Sequence, residues 1–89
     1  MQIEFDPIKR ATNLTKHHID LTEAEQVFEG DTLTIEDDRF NYGEQRFITI
    51  GRLAGRMMVI VWTPRGAARR IISMRKANDR EQAAYSPRL

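Results

Sequence analysis

The sequence predicts an α+β domain, a small antiparallel sheet with helices packed mainly on one face, in the order β-α-α-β-β-β-β-α. Three observations carry this expectation. Between positions 46 and 77 lie three apolar, β-branched segments joined by short Gly- and Pro-bearing turns, the pattern of a meander. Upstream, Asp6-Pro7 and the overlapping boxes Asp20-Leu-Thr-Glu23 and Thr22-Glu-Ala-Glu25 are helix starts. The 89 residues, with no cysteine, suffice for one small core and not two, so residues 1–89 read as a single domain.

Ile3 and Phe5 alternate with Gln2 and Glu4 as a short first strand. Asp6 can cap free backbone N–H groups, and Pro7 needs none at the first helical position, so a helix should run to Lys16 or His17. Ile8, Ala11, Leu14 and Thr15 form its expected apolar stripe, with Lys9, Asn13, Lys16 and His17 on the other side. The second helix is short, ending near Phe28, with Ala24, Val27 and Phe28 turned inward. Thr32 to Ile35 reads as a strand, followed by an acidic loop through Asp37 and Asp38 to Gly43. In the strand Arg46 to Leu53, Ile48 and Ile50 share one face, and Phe47, Thr49 and Gly51 the other. Met57 to Thr63 is almost continuously apolar and suits a central strand buried on both faces. Ala68 to Ala77 is the last strand, after which Asn78 or Asp79 caps a helix through Tyr85.

The net charge of +1 conceals a polarised chain: residues 1–45 hold four Lys and Arg against eleven acids, residues 46–89 ten against two. Such asymmetry suits nucleic acid or an oppositely charged protein. No segment has the length of a membrane span, and no amino-terminal apolar segment resembles a signal peptide, so a cytoplasmic protein without membrane contact is expected.

The strand Ala68–Ala77 is unusually cationic, with Arg69, Arg70, Arg75 and Lys76 and no acid. Strict alternation puts Arg69, Ile71, Ser73 and Arg75 on one face and Arg70, Ile72, Met74 and Lys76 on the other. Phosphate is expected on the Ser73 and Arg75 face, opposite Lys9 and His17, and helix packing on the Ile72 and Met74 face. His17 and His18 point about 100° apart on a helix and cannot chelate one ion together. The segment Gly51-Arg-Leu-Ala-Gly55 lacks the lysine and serine of a phosphate-cradling loop. There is no cysteine nucleophile, and Ser73 sits mid-strand without the sharp elbow that exposes a nucleophilic serine. No metal and no cofactor is expected. Metal-free RNA cleavage fits better. The ribose 2′-OH attacks the adjacent phosphate, a group titrating near neutrality moves protons, and fixed cations hold the added charge. His17, Lys9, Arg46 and Arg75 are the candidates for those tasks.

Phe5-Asp-Pro7 with Lys9, Asn13 and Lys16-His17, then Glu23-Ala24 and Val27-Phe28, resembles the start of the BrnT toxins. Glu44-x-Arg46, Ile50-Gly51, Val59-x-Val61, Arg70-Ile-Ile-Ser-Met-Arg75-x-Ala77 and Glu81 continue the resemblance over nearly the whole chain. The chain departs from many relatives at Phe5-Asp6, where they carry tryptophan nearby, and at Met74, where they carry alanine. The resemblance implies a RelE-like fold and an endoribonuclease toxin of a bacterial type II toxin–antitoxin system. It also implies neutralisation by a BrnA-type ribbon-helix-helix antitoxin, through which alone the complex meets operator DNA. Carried over residue by residue, it implies a site of Lys9, His17, Arg46 and Arg75, with Asn13 and Ser73 in support. A non-catalytic module of the same fold, holding an acidic antitoxin segment or nucleic acid backbone, is the competing expectation.

Overall fold

The computed structural model describes residues 2–89. Its strands are β1 (Gln2–Glu4), β2 (Leu33–Glu36), β3 (Phe47–Leu53), β4 (Arg56–Arg65) and β5 (Ala68–Lys76), and its helices α1 (Pro7–His17), α2 (Ala24–Glu29) and α3 (Asp79–Tyr85). The element order is the expected one. The strands form one five-stranded sheet in the order β1-β5-β4-β3-β2. Strands β2 to β5 are antiparallel, whereas β1 runs parallel to β5, so the sheet is mixed.

The helix ends follow the sequence signals. Asp6 accepts a hydrogen bond from the Ile8 N–H, and His18 closes α1 in the left-handed region at φ 59°. Asp20 caps a single 3₁₀ turn, Leu21–Glu23, that leads into α2. Asn78 and Glu81 form a reciprocal capping box on α3.

One core layer lies between the sheet and α2, where Leu21, Ala24 and Val27 meet Met58, Ile60, Trp62, Ile71 and Met74. Trp62 stacks on Phe47 at 4.9 Å between ring centroids and donates Nε1–H to Thr49 Oγ1 at 2.8 Å. Gly51 permits the close approach of α2 to β3, since a Cβ there would lie 2.6 Å from Val27 Cγ1. On the opposite face Ile50, Met57, Val59 and Ala77 pack with Tyr85 and Leu89 at the chain's end.

Two expectations require correction. Strict alternation along β5 fails, because Val61 pairs with Ser73 while Trp62 pairs with Ile71, which leaves Ile72 as an extra residue. This bulge switches the side-chain parity. Ile71 and Met74, both fully buried, therefore share the α2 side. Arg69 follows them, with its guanidinium 4.0 Å from the Phe28 ring centroid. The expected apolar stripe of α1 also faces outward: Ile8 is 75 % exposed and Leu14 46 %, and Asn13 is the helix's buried residue. The cause lies in β1, which pairs only with Ala68–Arg70. Beyond it the edge of β5 has backbone groups to satisfy, and a polar side chain from α1 meets that need better than an apolar one.

Candidate functional site

Asn13 joins α1 to β5. Its Nδ2 donates to the Met74 carbonyl at 2.8 Å and to the Ile19 carbonyl at 2.9 Å, while its Oδ1 accepts from the Met74 N–H at 3.1 Å. The side chain thus continues the sheet for one residue where β1 has ended. With Asn13 spent on backbone, its role is to set the height and rotation of α1 over the strand.

That rotation brings Lys9, Lys16 and His17 to the seam with β5. Together with Ile8, Thr12, Asn13, Ile72 and Ser73 they line a cavity of about 280 Å³. The bulge at Ile72 makes this possible, since it brings Ile72 and Ser73 to the same cavity. His17 is half-buried and its pKa is lowered from the usual histidine value, first by burial and then by the charges of Lys16, Arg75 and His18. The imidazole is therefore biased toward its neutral form, while the ammonium groups of Lys9 and Lys16 supply positive charge beside it.

Arg75 lies close enough to act electrostatically on His17, but its fork is engaged elsewhere. Nη1 and Nη2 donate to Glu81 Oε1 and Oε2, each at 2.8 Å, and Glu81 Oε1 also accepts from the Asn78 N–H at 2.9 Å. Arg75 is thus tied to the capping box of α3. It lines a second cavity, of about 540 Å³, with an aliphatic floor of Ile48, Ile50, Val59 and Val61 and with Tyr85 and Arg39 at its sides. Ser73 lines both cavities.

Of the residues expected at a site, Lys9, Asn13, His17 and Ser73 line one cavity, and Arg75 stands at its neighbour. Arg46 lines neither. Its guanidinium stacks 4.0 Å from the Tyr42 centroid and meets Glu44 at 3.2 Å, and its carbonyl accepts from the Asp37 N–H at 2.8 Å. Three residues outside the expected site complete the surroundings. Lys16 lies seven residues from Lys9 on the same helix face, a periodicity visible in the sequence. Glu81 meets Arg75 only because α3 folds back, which no local pattern announces. Arg39 is held by Asp37, whose carboxylate accepts from its Nε at 2.7 Å and its Nη2 at 3.0 Å. Arg39 thereby holds the Asp37 carboxyl at about 2, below its usual range. Among the described residues, no three His, Asp, Glu or Cys side chains cluster as a metal site would require.

A family model described as the ribonuclease toxin BrnT of type II toxin–antitoxin systems matches residues 5–81, which include every residue named in both cavities except Tyr85. The chain belongs to the BrnT family. The BrnT assignment makes it the toxin component of a type II system, with RNA as its substrate class and an antitoxin as its counterpart. No curated protein matches the chain. No helix among the described residues is long and apolar enough to cross a membrane.

Proposed function

We propose that this BrnT protein, acting as one toxin domain over residues 1–89, is a metal-independent endoribonuclease that cleaves RNA by attack of a ribose 2′-OH on the adjacent phosphate. The observation that carries this reading is the cavity between α1 and β5, where a half-buried imidazole with a lowered pKa stands among Lys9, Lys16 and Ser73 and within the field of Arg75. His17 takes or gives the proton. A neutral imidazole at pH 7 is suited to accept the 2′-OH proton, and the imidazolium so formed is suited to protonate the leaving 5′-oxygen. Lys9 and Arg75 hold the charge that builds on the phosphate, and Ser73 offers a hydroxyl between them. Arg46 contributes at longer range, as a cation stacked on Tyr42 beside the Asp37–Arg39 pair. Asn13 positions α1.

The chemistry needs no cofactor. Neutralisation falls to a BrnA-type ribbon-helix-helix antitoxin in the cytoplasm, and operator DNA is met only through that partner. The mixed sheet flanked by helices is the architecture from which we infer kinship with the RelE toxins. The Glu81 carboxylate on the Arg75 fork favours one alternative, a partner-binding module in which Arg75 has a structural task. Incubation of the purified protein with RNA in EDTA tests the proposal. Fragments ending in 2′,3′-cyclic phosphate are expected, and intact RNA would contradict it.

A further inference from the structure

We propose that the cavity between α3 and the loop after β2 is a nucleoside subsite, which receives the base next to the cleaved phosphate and selects a base whose edge donates an amine. This inference rests on the ribonuclease reading. The cavity continues the path of the substrate, because Ser73 lines both it and the His17 cavity. A single strand laid over Ser73 and Arg75 passes from one to the other.

The lining fits a flat heterocycle better than a phosphate. The floor of Ile48, Ile50, Val59 and Val61 is aliphatic, and Tyr85 adds an aromatic wall. Arg39 and Arg75 are close enough that the charge of Arg39 opposes that of Arg75. Each is matched by one acid, Asp37 for Arg39 and Glu81 for Arg75. Two further carboxylates, Glu36 and Asp38, also line the cavity and leave it net negative. Glu36 takes a hydrogen bond from Gln45 at 3.2 Å, and Asp38 takes none among the described residues. A phosphate is repelled from such an interior. A neutral ring with N–H donors is held there, with its own phosphate outside at the arginines. Cytosine, adenine and guanine carry exocyclic amines and uracil does not, and in a single strand those edges are free to be read.

The test is a methyl-resolved NMR titration of the full chain with cytidine 3′-monophosphate, uridine 3′-monophosphate, inorganic phosphate and a basic amphipathic peptide. The expected result is that the cytidine nucleotide moves the Ile48, Val59 and Val61 methyl signals and binds about tenfold tighter than the uridine nucleotide. Inorganic phosphate leaves those signals in place. Asp38→Lys, an exposed change that leaves the fold intact, reduces the cytidine preference to less than twofold, and Val61→Trp fills the cavity and abolishes the shifts. Nucleotide shifts confined to α1, equal binding of the cytidine and uridine nucleotides, or shifts with the basic peptide alone would overturn the subsite. Cleavage of RNA measured beside it separates the two readings. Cleavage without methyl shifts removes only the subsite, and methyl shifts without cleavage remove only the ribonuclease.

Discussion

Asn13 and Met74 form a two-bond pair across the seam between α1 and β5, the amide donating at 2.8 Å and accepting at 3.1 Å. Met74 pairs with Ile60 of β4 on one side, and the Asn13 pair substitutes for the strand partner that it lacks on the other, β1 side. The Asn13 pair also decides which face of α1 looks at the sheet. Asn13→Leu removes the side-chain partner of three buried backbone groups, the Met74 N–H and carbonyl and the Ile19 carbonyl. We predict a loss of about 1–3 kcal/mol per unsatisfied group in chemical denaturation. Activity falls further than the loss of folded protein explains, because α1 also carries Lys9 and His17. Asn13→Asp keeps the acceptor but turns a second carboxylate oxygen toward the Met74 and Ile19 carbonyls in a buried position, and is expected to cost at least as much as Asn13→Leu.

His17 provides a pH signature. Its folded pKa lies below the usual value near 6.5, so the unfolded chain takes up its proton first as the pH falls. The stability it contributes is complete above about pH 6.5 and is lost below it as the unfolded chain protonates. An NMR titration of the imidazole should give a midpoint below 6.5. Lys16→Gln and Arg75→Gln should each raise that midpoint, and Lys16→Gln more, since its charge ranks ahead of that of Arg75.

If Arg75 holds an RNA phosphate as proposed, Glu81 and that phosphate compete for the same guanidinium. Their rivalry predicts that Glu81→Gln, which preserves the capping-box geometry, tightens RNA binding about two- to tenfold at low salt. The cost in stability should stay below about 1 kcal/mol, because the Arg75 partner is 39 % exposed. Fluorescence anisotropy with a labelled RNA checks it. Weaker binding would mean that Glu81 aims Arg75 at the phosphate.

Asp37 predicts a limb of acid unfolding. Its carboxylate is 1 % exposed and titrates at about 2, first because Arg39 donates to it. A depressed carboxyl contributes stability above its unfolded value near 4, and this is lost as the pH falls toward 2. Asp37→Asn should lower the melting temperature at pH 7, and the gap to wild type should close by about pH 2. A constant gap would place the effect in packing.

The order of elements was legible in the sequence because caps and turns are local. Asp6-Pro7, Asp20 and Asn78 begin their helices in the structure as their chemistry dictates. The parallel pairing of β1 was not legible, because it depends on a partner more than sixty residues away. The bulge at Ile72 was hidden for a related reason. A bulge has no sequence signature in an Ile-Ile pair, yet it moves every later side chain to the opposite face. The rotation of α1 was not legible, because it follows from the polar side chain that the edge of β5 requires, and helical periodicity reports only the apolar stripe. Lys9 and His17 nonetheless emerged as site candidates, since helical spacing alone puts them on one surface with Asn13.

We predict that His17 and Arg75 act on one phosphate. Single-turnover cleavage of a defined RNA in EDTA, by wild type, His17→Ala and Arg75→Ala at equal folded concentration, tests it most directly. A loss of about 100-fold or more is expected for each variant, the scale of a lost proton-transfer or charge-stabilising group. Cleavage by both variants at the wild-type rate would contradict it.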